Sequence, residues 1–127
     1  MIVGIGIDLI EIERVGELLR EHGAAASRRV FTERERVDAG EGAGAAASLA
    51  ARFAAKEAGM KALGTGWAQG IGFTDLELLR DPGGAPRLVL HGAARGRAES
   101  IGVTTIHVTL THTRTAAAAV VILERSG

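Results

Sequence analysis

Asp8 sits in "GIGIDLIEIERV" (Gly4–Val15), where a strand-like pattern gives way to a helical one. Residues 2–10 alternate, with Val3, Ile5, Ile7 and Leu9 on one face and Ile2, Gly4, Gly6 and Asp8 on the other. The odd face is expected to pack on a core. The even face, bare backbone beside Asp8, is expected to leave room for a ligand. A second acid falls in "RFAAKEAGMKALGTG" (Arg52–Gly66). On a helical wheel Leu49, Phe53, Glu57, Met60 and Gly64 form one stripe, so Glu57 lies within an apolar face. A carboxylate there needs a partner. Lys61, four residues on, offers an intrahelical pair of about 0.3–0.5 kcal/mol. With Arg52 and Lys56 on the flank, one acid ringed by three bases suits a metal-and-phosphate site equally well. Both readings stand on the residues alone.

The segment "VTLTHT" adds a histidine. Ile106, Val108, Leu110 and His112 share a face opposite His107, Thr109 and Thr111, which places His112 on the inward side at the end of its strand. Such a residue is either a hydrogen-bonded core histidine or a site group. His107 reads as a surface residue, and His22 and His91, beside element ends, as surface or capping residues. Gly64 is the expected helix C-cap, so "GTG" (Gly64, Thr65, Gly66) is only a weak phosphate-loop signal.

These side chains need elements to hold them. After the first strand a helical period runs from Glu11 to about Arg20, and Gly23 is placed to end it. "SRRVFTERE" reads as a basic turn followed by a capping box from Thr32 to Glu35. A low-complexity loop then leads into a helix over about Ser48 to Leu63. "IGFTDLELL" and "RLVL" are strands joined by the hairpin signal "DPGG". "GAARGRAES" is a short helix, and "AAAAVVILE" a final strand. The sum is one α+β domain over residues 1–127, a mostly antiparallel sheet packed on a long central helix.

Composition narrows the chemistry. The 127 residues are enough to bury roughly two-thirds of the unfolded surface. There is no cysteine, which excludes a disulfide scaffold and a thiol nucleophile. No apolar run approaches the ~20 residues of a membrane span. The start lacks the basic-then-apolar order of a signal peptide, so a cytoplasmic location is expected. Fifteen basic residues balance fifteen acidic ones, so attraction to an anion must be local. One tryptophan, three phenylalanines and no tyrosine leave little for base stacking, against nucleic-acid binding.

Together "GIGIDLIEIERV", "RFAAKEAGMKALGTG" and "VTLTHT" closely resemble the holo-acyl-carrier-protein synthase family, the small 4'-phosphopantetheinyl transferases. The resemblance covers nearly the whole chain and includes "RRVFTERE". It implies transfer of phosphopantetheine from coenzyme A to a serine of apo acyl carrier protein, with release of adenosine 3',5'-bisphosphate. It implies magnesium held by Asp8 and Glu57 against the pyrophosphate, a setting that suits a hard, water-keeping ion. By the same resemblance Lys61 reaches the phosphates, with Arg52 and Lys56 as further phosphate contacts. Gly64, Thr65 and Gly66 lie beside the nucleotide. Glu57 or His112 serves as base, or His112 donates to a phosphate. Arg14, Leu18, Arg28 and Arg29 meet the acidic carrier, unless those arginines are ordinary solvated ones. The family's homotrimers carry sites at subunit interfaces, where the "THT" strand can face a neighbour's Asp8 and Glu57. The chain departs at Thr109 and Thr111, where the family often has serine. It departs again after His112, where Arg114 and alanines replace an acid and an aromatic, so nothing is carried over beyond that histidine. Two other classes remain: a coenzyme A or carrier-protein binding module without transfer, and a magnesium-dependent phosphohydrolase.

Overall fold

The glycines of the first strand are bare because a helix lies against them. The structure, a computed structural model, describes residues 1–65 and 70–127. β1 (Ile2–Glu11) runs across α3 (Ala45–Leu63). A Cβ built on Gly4 would overlap the carbonyl oxygen of Ala62, and one on Gly6 the carbonyl oxygen of Ala58. Helix and strand therefore meet backbone to backbone, closer than side chains allow. Ala54, Ala55, Ala58 and Ala62 are all buried on α3, and their small size permits the approach.

This overturns the expected orientation of β1. Ile5, Ile7 and Leu9 are 61%, 62% and 70% exposed, while Gly6 is buried and Asp8 half-buried. From Gly4 onward the even face packs on the core and the odd face looks outward. Before the irregularity between Ile2 and Gly4 it is Val3 that packs on the core, as expected, and Ile2 that is exposed. The space left by the missing side chains is filled by α3, not by a ligand. Alternation fixes which residues share a face but not which face is covered.

The sheet containing β1 has three antiparallel strands in the order β1-β5-β4. β5 (Ala116–Glu124) is central, setting Asp8 opposite Ala119 and Ile7 opposite Val120. β4 (Thr105–His112) pairs on its other side, with Leu110 opposite Ala119 and His112 opposite Ala117. Ala117, Ala119, Val121 and Leu123 are buried on the α3 side of β5. β2 (Leu76–Arg80) and β3 (Pro86–Leu90) form a separate antiparallel hairpin, so the expected single sheet is two. Its turn closes through Gly84 N–H to the Asp81 carbonyl at 2.7 Å, as "DPGG" suggests. α3 joins both sheets in one core with Met60, Leu63, Leu76, Leu78 and Leu88. The architecture is α+β around a long central helix.

The remaining helices brace this arrangement. α1 (Ile12–Val30) is broken at Gly23, whose φ of 63° no helix accommodates. Gly23 therefore ends the first piece, but Ser27–Val30 continue as helix where a turn is expected. α2 (Glu33–Ala39) opens with the anticipated capping box: Glu35 N–H donates to Thr32 Oγ1 at 3.2 Å, and Thr32 N–H to Glu35 Oε1 at 3.0 Å. α3 starts at Ala45, three residues before Ser48, and stops at Gly64 in the left-handed conformation. α4 (Gly92–Ser100) follows the hairpin. No helix among the described residues is long and apolar enough to cross a membrane.

The backbone contact predicts a specific intolerance. Gly6→Ala should lower stability by about 3 kcal/mol or more, because strand and helix must separate. Gly42→Ala, where a Cβ meets nothing within 4 Å, should change little. Denaturant titration of the two variants compares them.

Candidate functional site

β1 carries Asp8 past α3 just where Glu57 and Lys61 lie one helical turn apart. All three line a cavity of about 500 Å³, with Leu9, Ile10, Arg14, Val15, Leu18 and Phe53 completing its wall. The register that presses Gly4 and Gly6 onto α3 also turns Asp8, two residues on, to the same side. Phe53 and Glu57 follow because they sit eight and four residues before Lys61 on one stripe.

Lys61 does not close the intrahelical pair with Glu57. Its Nζ donates to Asp8 Oδ1 at 3.2 Å and to the Ile7 carbonyl at 2.9 Å. Burial pushes the Glu57 carboxyl above its ordinary pKa, the nearby Asp8 charge pushes it further, and Lys61 opposes both. Two acids thus repel each other across a small cavity with a single ammonium between them and solvent. The oxygen-only donor set suits a hard divalent cation that keeps several waters, as magnesium does. Among the described residues no group of three or more acids or histidines gathers, so an ion here would rest on two carboxylates and on oxygens from elsewhere.

Two of the expected phosphate contacts are placed otherwise. Lys56 is fully buried, and its Nζ donates to Glu35 Oε1 at 2.6 Å, to the Phe73 carbonyl at 3.1 Å and to the Leu76 carbonyl. All three of its protons are committed. Burial pulls its pKa down and the Glu35 charge opposes the fall. Glu35 in turn accepts from the Leu78 amide at 3.1 Å, so the pair ties α2 and α3 to the start of the hairpin. Arg52 is 3% exposed and donates back to Ser48, to its carbonyl and its hydroxyl. Neither lines the cavity. The corrections share one cause: these residues face the hairpin and α2, one flank away from Glu57.

His112 is exposed rather than enclosed, with Nδ1 3.2 Å from the Thr113 carbonyl, and it lies outside the cavity of its own chain. Gly64 is the C-cap, with its N–H on the Lys61 carbonyl at 3.0 Å. The Thr65 hydroxyl is buried with no partner among the described residues. Gly66 lies outside the described residues. Arg97 was not anticipated: its Nε donates to the Leu63 carbonyl at 3.0 Å and holds the end of α3. No local signal marks it, because the contact crosses from α4.

The basic patch divides in two. Arg14 and Leu18 stand on the cavity wall, and Leu18 also begins a groove with His22, Ala25, Ala26, Arg29, Val30 and Phe73. Phe53 and Phe73 join the two hollows with ring centroids 5.1 Å apart. Arg28 is exposed beside the groove.

The sequence model of the 4'-phosphopantetheinyl transferase superfamily matches residues 4–121. The chain belongs to that superfamily. A holo-[acyl-carrier-protein] synthase from Nitratidesulfovibrio vulgaris (strain DP4) is 52% identical over 124 residues, covering 98% of this chain and 99% of that protein. The crystal structure of holo-[acyl-carrier-protein] synthase from Neisseria meningitidis aligns with a TM-score of 0.89 at 30% identity, over 98% of this chain and 100% of that one. The Bacillus anthracis str. Ames enzyme of the same name, solved in complex with CoA (3',5'-ADP), aligns with a TM-score of 0.81 at 37% identity over 99% of each chain.

Two outcomes test this geometry. Lys56→Met strands a buried carboxylate and should cost about 3–5 kcal/mol of stability by denaturant titration. A phosphate contact would instead spare stability and weaken coenzyme A binding. Glu57 is pushed up in the folded state, so charging it costs stability as pH rises through and above the ordinary glutamate range. Glu57→Gln should therefore raise the thermal midpoint in chelator-treated buffer at about pH 8, with the gain fading toward about pH 4.

Proposed function

We infer that the protein transfers the 4'-phosphopantetheine group of coenzyme A to a serine hydroxyl of apo acyl carrier protein, releasing adenosine 3',5'-bisphosphate. It is a holo-[acyl-carrier-protein] synthase by activity, and the whole chain forms the transferase domain. The observation that carries the reading is the convergence of Asp8, Glu57 and Lys61 on one cavity whose wall runs into an arginine-edged groove.

Asp8 and Glu57 would hold the magnesium ion. When bound, that ion supplies positive charge against the diphosphate of the donor. Lys61, half-exposed on a long stem, adds a second cation for the phosphate oxygens. The serine oxygen forms a bond to the β-phosphorus as the bond from that phosphorus to the bridging oxygen breaks. The bridging oxygen leaves with the bisphosphate. The serine proton goes to the Glu57 carboxylate, directly or through one water. Without a bound ion, burial and the Asp8 charge make that carboxylate more basic than an ordinary glutamate. His112 is the second candidate, and within this reading it serves only the site of another copy.

The carrier docks along α1. Arg14, Arg28 and Arg29 offer positive charge to an acidic helix, and Leu18 an apolar contact between them. A homotrimer is supported by the outward face of the three-stranded sheet. There Ile5, Ile7 and Leu9 are exposed beside Val120 and Ile122 of β5, which makes a continuous apolar strip. A cytoplasmic location accords with the carrier and coenzyme A as partners.

Intact-protein mass spectrometry of an apo acyl carrier protein incubated with this protein, coenzyme A and magnesium should show a gain of one phosphopantetheine. Asp8→Ala and Glu57→Ala should each slow the gain by about 10² or more while remaining folded. Tight coenzyme A binding with an unmodified carrier would replace the reading with a binding module. Free phosphopantetheine released without carrier would replace it with a hydrolase.

A further inference from the structure

We propose that Lys61 is a built-in counter-ion for the Asp8–Glu57 pair, and that a divalent cation takes its place only by displacing the ammonium from Asp8. The inference rests on reading those two acids as metal ligands. Lys61 Nζ is bound to Asp8 Oδ1 at 3.2 Å and to the carbonyl of the preceding residue, Ile7, at 2.9 Å. Both acceptors belong to β1, so the ammonium bridges helix to strand across the mouth of the cavity. The Asp8 side chain is 18% exposed and the Lys61 side chain 53%. The acid is fixed by the packing around it, whereas the base is held at the end of a flexible stem open to solvent.

A dication coordinated by Asp8 would meet that ammonium as a like charge within a few ångströms. Among the described residues, the two bases flanking Glu57 on the helix are engaged elsewhere: Lys56 is enclosed with Glu35, and Arg52 is folded back on Ser48. Arg14 shares the cavity wall but forms no ion pair there among the described residues. Lys61 is therefore the base paired with Asp8 and facing Glu57 before an ion arrives. Its freed ammonium is then on the correct side of the cavity to meet anionic oxygens of an incoming substrate. One lysine would keep the acids together in the resting protein and tune how tightly the ion is held, which separates its role from a fixed phosphate contact.

The test is manganese(II) titration of the full chain without coenzyme A, with free ion read by electron paramagnetic resonance. Lys61→Gln removes the competing charge and should tighten manganese binding roughly tenfold, the scale expected for one charge against a dication in near-aqueous surroundings. Lys61→Arg keeps the charge and should bind like the parent. Lys61→Met provides a second neutral variant, and circular dichroism melts check that each remains folded. Manganese affinity unchanged or weakened in both neutral variants would overturn the counter-ion role. Asp8→Asn separates the two claims. If it abolishes binding while Lys61→Gln has no effect, the ligand reading stands and this proposal fails. If it binds like the parent, the ligand reading itself is wrong.

Discussion

A strand can lie on a helix at backbone distance only where the strand presents no side chain and the helix nothing larger than a methyl group. Gly4 and Gly6 of β1 meet the carbonyls of Ala62 and Ala58 of α3 in this way, and the site depends on the result. Fixing those two positions against the helix fixes the strand's rotation about its own axis. Asp8, the next residue on that face, must then emerge on the side of α3 where Glu57 and Lys61 stand. A Cβ at either glycine would push the strand outward and carry the carboxylate with it. The glycines bind nothing themselves, and their contribution to chemistry is the absence of bulk.

The helix is held from the other side as well. The Lys56–Glu35 pair, fully buried, joins α3 to the capped start of α2 and to the amide of Leu78 and carbonyls at the start of the hairpin. Such a pair contributes little net stability once desolvation is counted, but breaking it is costly. Its effect is to fix the rotation of α3 about its axis, since Lys56 and Glu57 are adjacent and point about 100° apart. With Lys56 anchored toward the hairpin, Glu57 is directed toward the strand. Arg97 from α4 completes the hold by capping the Leu63 carbonyl. The helix is thus clamped along one flank and at its end, and its acidic position is left facing the cavity.

Much of this was legible in the residues. The alternation of β1 and β4, the Gly64 cap, the Thr32–Glu35 capping box and the "DPGG" hairpin are local signals, and each forms as its chemistry requires. Asp8, Glu57 and Lys61 could be singled out because acids and bases on apolar faces demand partners. What failed was every inference needing to know what lay on the far side. Glycine alternation looks the same whether a ligand or a helix fills the gap, so alternation alone leaves the covered face of β1 undetermined. Lys56 on the flank of a stripe looks solvated until Glu35, twenty-one residues earlier, is brought beneath it. His112 keeps the face assigned by alternation yet lies at the strand end, where it is exposed among the described residues.

A crystal of the protein grown with manganese and coenzyme A, measured at the manganese absorption edge, tests the central claim most directly. The account predicts one anomalous peak between the carboxylates of Asp8 and Glu57, with the diphosphate of the donor on its open side. A peak elsewhere, or one touching neither acid, would contradict it.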